Sequence, residues 1–221
     1  MQFSDPLFGA QAIERRRPRG YRALGKRFLD LFLSIASLPF LLPIIGICWA
    51  LARTDGGPGF FAHTRVGRNG RAFRCFKIRT MRPDAEAALA ELLERSPAAR
   101  AEWEDTQKLI DDPRVTPLGR VLRKTSLDEF PQIFNVILGQ MSLVGPRPIV
   151  ESELDRYGPY ASVYGSVRPG VTGLWQVSGR NDLSYAERVQ LDVEYVARLS
   201  LVGDIWLILR TLIEVARRTG I

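Results

Sequence analysis

The 221-residue chain is poor in the residue types on which many simple catalytic centres depend. It has one histidine, His63, so histidine-based triads and two-histidine metal sites have little material here. Its two cysteines, Cys48 and Cys75, show neither metal-ligand spacing nor a disulfide framework, and read as unrelated thiols of a reducing compartment. Charge is nearly absent from one stretch: Phe28 to Ala52 carries only Asp30. The rest is rich in charge, so an ordinary hydrophobic fraction of 46% conceals two kinds of segment. No internal repeat or low-complexity tract is present, and the length fits one domain plus an appendage.

The net charge is +7, which points to an anionic partner. Residues 82–108 carry four bases against seven acids, so the basic excess lies elsewhere. Arg15, Arg16, Arg17, Arg19, Arg22, Lys26 and Arg27 precede the apolar run; Arg53, Arg65, Arg68, Arg71, Arg74 and Lys77 follow it. A phospholipid surface at the run accounts for that placement. The run is long enough to cross a bilayer at ~1.5 Å per residue, and it starts too far into the chain for a secretory signal. Pro39 and Pro43 each remove a backbone donor and bend a helix, while basic flanks hold both ends in the cytoplasm. A re-entrant helix that bends at proline and returns to the same face meets both demands. A straight span and a buried soluble core helix are the competing readings. Asp30, three residues after Arg27, is expected to pair with it on one helix face.

Thr54–Gly59 reads as a turn-rich linker, and Phe60–Met81 as a hairpin turning at Gly67–Gly70. Asp84–Lys108 reads as two solvated helices interrupted at Pro97. Leu127–Leu138 is expected to be a helix capped by Ser126, with Asp128 and Glu129 at its positive end and Pro131 in its first turn. Its stripe of Phe130, Ile133, Phe134, Ile137 and Leu138 suits a core or a membrane interface, as does a second amphipathic stretch, Asp204–Arg218. The class expected is α+β, mainly helical with a small β element, carrying a re-entrant membrane helix and amphipathic interfacial helices.

Reactive side chains concentrate between Asp111 and Pro148. Phosphoryl transfer asks a protein chiefly to position charge, neutralise it and supply an in-line nucleophile. Asp128 and Glu129 are adjacent carboxylates; Arg123, Lys124 and Arg147 are cations whose chemistry suits phosphate oxygens. The Gly145-Pro146-Arg147-Pro148 segment is a stiff frame for one arginine. A carboxylate can attack phosphorus to give an acyl phosphate, and a neighbouring carboxylate can hold Mg²⁺. Taken alone, these features imply a phosphate-like ligand near a membrane and no more.

The ordered blocks Lys26-Arg27-Phe28-x-Asp30, Pro43, Asp55-x-x-x-Gly59-x-Phe61, Arg65-Val66-Gly67, Phe76 to Met81, Asp112-Pro113-Arg114, Leu122 to Glu129, Met141 to Pro148 and Arg168 to Arg180 resemble the bacterial sugar transferase family, the monotopic polyprenyl-phosphate phosphoglycosyl transferases. The resemblance runs from about Lys26 to Gly220 and is nearest to exopolysaccharide enzymes that begin repeat units with galactose- or glucose-1-phosphate. It implies Asp128 as the nucleophile that attacks a UDP-sugar and releases UMP, Glu129 as its Mg²⁺-associated partner, and polyprenyl phosphate as acceptor. It implies phosphate contacts at Arg123 and Arg147, site-facing roles for Lys77 and Arg79, and nucleotide contacts at Gln176 and Arg180. It implies Pro43 as the helix breaker, Lys26 and Arg27 as the interfacial anchor, and the cytoplasmic face of the bacterial inner membrane as location. The division expected is a basic tail (1–25), a re-entrant membrane helix (26–53) and a membrane-associated catalytic domain (54–221), a minimal form without the large membrane domain of longer members. The chain departs from the family pattern at Leu42, where many members have serine, at the additional Pro39, and at Phe130 in place of leucine.

Two non-catalytic readings compete: a basic membrane-surface or nucleic-acid module, and a scaffold of a glycan-assembly complex. No nucleic acid is expected, because the aromatic residues are not interleaved with the bases. Oligomeric state stays open, a homodimer among the forms allowed.

Overall fold

A computed structural model describes residues 20–106, 109, 112–179 and 183–216. Residues 1–19 of the basic tail and Arg180 therefore lie outside the described residues. The apolar run forms α1 (Gly25–Ala52), 28 residues of helix continuous through Pro39 and Pro43. An antiparallel hairpin follows, β1 (Phe60–Val66) with β2 (Ala72–Ile78), in the register Phe60↔Ile78 to Val66↔Ala72. Asn69, at φ 57°, and Gly70 turn it as the glycine spacing predicts. Next come α2 (Ala85–Arg95) and α3 (Pro97–Thr106), divided at Pro97 as expected. After them lie α4 (Pro117–Thr125), α5 (Gln132–Ile137), β3 (Ser142–Val144), α6 (Glu151–Leu154), α7 (Ala161–Gly165), β4 (Gly170–Thr172), α8 (Leu174–Val177), α9 (Tyr185–Arg198) and α10 (Leu201–Ala216). The short β3 and β4 pair in parallel. The chain is thus mainly helical with a small β element, as the sequence implies.

The expected helix over 127–138 is two pieces. Ser126, at φ 56°, ends α4 in the left-handed region and its side chain caps nothing. A single 3-10 turn, Leu127–Glu129, carries the two acids, and α5 begins only at Gln132. Pro131 contributes to the division: it has no N–H to return to Leu127, so the α-type bond at that point is missing. Bonds of 3-10 type fill the gap, Glu129 N to Ser126 O and Phe130 N to Leu127 O.

Only 17% of the most apolar stretch of α1 is buried, so α1 is not a soluble core helix. The buried part is informative. Ile45, Cys48 and Ala52 pack with Ile78 of β2, Leu122 of α4 and Ile133 of α5. At the other end, Arg27 donates to the Val136 and Ile137 carbonyls at the C-terminus of α5, and Lys26 pairs with Asp204 of α10 at 2.7 Å. Asp30 accepts from Ser142 Oγ and Leu143 N, each at 3.0 Å. The expected Arg27–Asp30 pair is therefore not made: both side chains reach inward to β3 and α5. The outer face of α1 leaves Phe28, Phe32, Ile35, Phe40, Ile44 and Ile47 exposed, and α10 exposes Val202, Trp206, Leu209 and Leu212.

Close approach fixes one glycine. Gly119 of α4 lies against the backbone of Thr80, and a Cβ there would overlap the Thr80 carbonyl, which also accepts from Thr116 N at 3.0 Å. Gly119→Ala is expected to destabilise the fold by about 2 kcal/mol or more. Thermal unfolding of the detergent-solubilised protein measures it, and an unchanged midpoint would contradict this packing.

Candidate active site

Three elements bring four of the expected residues together. Strand β2 presents Lys77, the last turn of α4 presents Arg123, and the 3-10 turn presents Asp128 and Glu129. Lys77 Nζ lies 2.6 Å from Glu129 Oε1 and 3.8 Å from Asp128 Oδ2. Arg123 is aimed by its own bond, Nε to Thr80 Oγ1 at 3.0 Å. Thr116 caps α4 by accepting from Gly119 N, and Pro117 opens the helix, so the Arg123 turn starts from a fixed point. Asn135 of α5 is fully buried; it accepts from Phe76 N and donates to the Arg74 carbonyl, holding β2 against the acidic turn.

The electrostatics suit a nucleophile. Asp128 is buried, and burial pushes its carboxyl up to about 6, opposed by Lys77 and Arg123 and reinforced by Glu129. It is therefore mainly ionised at neutral pH, yet poorly solvated. Burial works to lower the Lys77 ammonium, but Glu129 and Asp128 outweigh it and hold it above its ordinary value. The pair Asp112–Arg114, at 2.7 Å, stands behind Arg123.

Arg79 takes a different role from the one expected. Its Nε donates to the Pro58 carbonyl, one terminal nitrogen to Asp55 and the Met81 carbonyl, the other to Asp55 and the Ala52 carbonyl. All five N–H groups are thereby used, leaving none for a phosphate. Strand β2 ends at Ile78, so the alternation that would put Arg79 beside Lys77 lapses one residue too early. Arg79 belongs to the joint between α1 and the hairpin.

Arg147 lies beyond β3 with its guanidinium 5.5 Å from the centre of the Trp175 ring. It acts electrostatically on Arg65 and on Cys75, and Cys75 in turn feels Lys77 and Glu129. Arg147 and the Lys77–Glu129 pair thus both act on Cys75 of β2. Gln176 follows Trp175 on α8. Sequence reasoning passed over Thr80 and Arg188, whose guanidinium lies 5.0 Å from the same Trp175 ring. Among the described residues no group of three or more ligating side chains could hold a metal by itself. Two adjacent carboxylates do suit Mg²⁺ that shares its ligands with a diphosphate and with water.

Residues 21–218 match the profile of the bacterial sugar transferase family. The chain belongs to that family. It is a transferase, and the non-catalytic readings fall with that assignment. The chain is 47% identical over 205 residues to the exopolysaccharide production protein ExoY of Sinorhizobium fredii, covering 92% of this chain and 90% of that protein. It is 50% identical over 195 residues to an undecaprenyl-phosphate galactose phosphotransferase of Salmonella typhimurium, covering 88% of this chain but 41% of that protein. It is 35% identical to an undecaprenyl-phosphate glucose phosphotransferase of Komagataeibacter xylinus, covering 93% of this chain and 38% of that protein.

Proposed function

We propose that this transferase moves a hexose-1-phosphate, galactose- or glucose-1-phosphate, from a UDP-sugar to a polyprenyl phosphate such as undecaprenyl phosphate, as the opening step of exopolysaccharide assembly. The observation that carries the chemistry is a buried, ionisable Asp128 flanked by Lys77 and Arg123. Its carboxylate oxygen attacks the β-phosphorus of the donor. The bond to the bridging oxygen breaks, UMP leaves with that electron pair, and an aspartyl phosphosugar remains. An oxygen of the acceptor phosphate then attacks the same phosphorus and releases the Asp128 carboxylate. Lys77 and Arg123 stay beside the phosphoryl oxygens as charge moves from nucleophile to leaving group. Glu129, with Asp128, would hold Mg²⁺, which supplies charge neutralisation on the diphosphate.

The contacts of α1 support a monotopic, re-entrant placement, and the basic residues flanking the apolar run favour the cytoplasmic face. A straight helix of 28 residues would span roughly 42 Å at 1.5 Å per residue, and its ends would lie on opposite sides of a ~30 Å hydrocarbon core. Yet residues 26–30 and residues 45–52 both bind the same domain. One domain cannot lie on two sides of a bilayer. The exposed apolar faces of α1 and α10 would then sit in phospholipid, with the carboxylates near the headgroups.

The test uses the full chain in detergent with UDP-sugar and no acceptor. A burst of UMP equal to the enzyme, and a phosphohexose mass on the peptide containing Asp128, are expected. The burst rate should fall about tenfold per unit as pH drops below about 6, because the protonated carboxyl is not a nucleophile. UMP release that waits for acceptor, with Asp128 always unmodified, sinks the two-step reading. A panel of UDP-sugars, scored for lipid-linked product, identifies the hexose.

A further inference from the structure

Strand β1 flanks the strand that carries Lys77 yet supplies nothing to the chemistry above. Side chains alternate along a strand, so Phe61, His63 and Arg65 share one face, and the register sets them opposite Lys77, Cys75 and Phe73 of β2. Arg65 shows that this face is turned toward the domain: it pairs with Glu153 at 3.6 Å and donates to the Pro148 carbonyl at 3.4 Å. Phe60, on the other face, leans on Trp49 of α1, their ring centres 6.4 Å apart. Phe61 has no such cover. It is 52% exposed, and its ring centre lies 6.1 Å from that of His63, itself exposed. Directly opposed side chains have Cβ atoms about 5 Å apart, so Phe61 stands beside the ammonium that pairs with both carboxylates. His63 is neutral at pH 7, because burial first, then Arg65 and Lys77, hold its imidazole below the ordinary value. That imidazole makes no hydrogen bond to another described residue.

A phenyl ring and a neutral imidazole, side by side and open to solvent, suit a ligand with an apolar face and hydroxyl groups at its edge. The phenyl face takes C–H groups, and a neutral imidazole offers one donor and one acceptor. A hexose has that chemistry, and a galactose ring in particular turns a run of C–H bonds to one side. Position selects the hexose over the other ring of the donor. It hangs one oxygen from the phosphorus that Asp128 attacks, whereas uracil is separated from that phosphorus by a second phosphate and a ribose. We propose that Phe61 and His63 form the wall against which the hexose of the donor stacks, and are thus the residues of this site that read the sugar. The proposal rests on the transfer reaction above and adds where the sugar is recognised. It gives the hairpin two tasks on one face: β2 holds the cation beside the phosphoryl group, and β1 holds the ring attached to it.

The experiment places Phe61→Leu, Phe61→Tyr and His63→Ala in the full-length protein in detergent. Binding of UDP-galactose, UDP-glucose, UDP and UMP is measured on an Asp128→Asn background, so that no donor is consumed, and KM for donor and acceptor on the wild-type background. Both side chains are exposed, so the variants are expected to fold. Leucine keeps the apolar bulk without the ring face and should weaken UDP-hexose binding roughly 3- to 10-fold, while tyrosine keeps the face and should restore it. Loss of one neutral hydrogen bond at His63 should weaken it by a similar factor. UDP and UMP, which carry no hexose, should bind within about twofold of the parent, and the preference between the two UDP-hexoses should narrow. UMP binding weakened as much as donor binding would put the rings against the nucleoside. Unchanged donor binding with a raised acceptor KM would put them against the lipid. Either result overturns the proposal, as does no change for any ligand, and all three leave the transfer reaction standing. A wild type that cleaves no UDP-hexose would sink the transfer reaction instead, before any variant is compared.

Discussion

Asp128→Asn is expected to abolish sugar-phosphate transfer and, at neutral pH, to make the protein more stable. Loss of the nucleophile should cut turnover by roughly 10⁴-fold or more and remove the donor-only UMP burst, because the amide cannot form the acyl phosphate. The stability effect follows from the carboxyl's raised pKa. Its value moves from 3.8 to about 6 on folding, chiefly through burial. A group raised in this way favours its protonated form in the fold. Its contribution is fully present below about pH 4 and is lost as pH rises through about 6. Above that, the ionised carboxylate costs the fold up to roughly 3 kcal/mol, a figure already net of its attraction to Lys77 and Arg123. Asparagine is neutral at every pH. Wild type and variant should therefore melt alike near pH 4 and diverge above pH 6, the variant higher. A variant that still gives the burst would remove Asp128 from the mechanism. A variant less stable at pH 7.5 would mean that the Lys77 contact outweighs desolvation. An active site held at a cost to folding stability is the common pattern where a buried charge must react.

The parts of this fold that punctuation residues mark locally could be read from the sequence. Gly67 to Gly70 turns the hairpin, Pro97 divides α2 from α3, and the adjacent acids of the site stand in one short block. Other local signals were present but unread. Thr116-Pro117 starts α4, and Ser184 with Glu187 forms the capping box that starts α9, the helix carrying Arg188. What local pattern does not hold is the choice of partner across the chain. Asp204 opens an amphipathic stretch, yet it is 1% exposed and accepts from Tyr21, Lys26 and Tyr195, two of them nearly the whole chain away. The left-handed conformation of Ser126 is equally opaque, because no glycine or asparagine marks it in the sequence. Resemblance reached Asp128, Lys77 and Arg123 by position, but it assigned Arg79 with them, and only the hydrogen bonds separate the two roles.

Arg79 therefore carries the second large effect, on stability rather than on substrate. Its guanidinium ties the last carbonyl of α1, at Ala52, to Asp55, Pro58 and Met81, joining α1 to the hairpin that bears Lys77. Arg79→Met keeps the length of the side chain and removes every donor. Three carbonyls lose partners at a site where the arginine is 8% exposed, while Asp55, half exposed, can turn to water. The expected cost is about 3–5 kcal/mol, most of it from the carbonyls left unpaired. Arg79→Lys restores the charge but not the planar fork, and should recover only a minor share. Donor KM for whatever fraction folds should stay near wild type, since no Arg79 donor is available to a phosphate. A phosphate ligand would behave in the opposite way: little change in melting, a donor KM raised about 10-fold or more, and substantial rescue by lysine. Thermal unfolding and donor kinetics on the same two variants separate these outcomes. The first pattern would mean that the arginine sets where α1 ends, and through β2 where the Lys77 ammonium stands relative to the carboxylates.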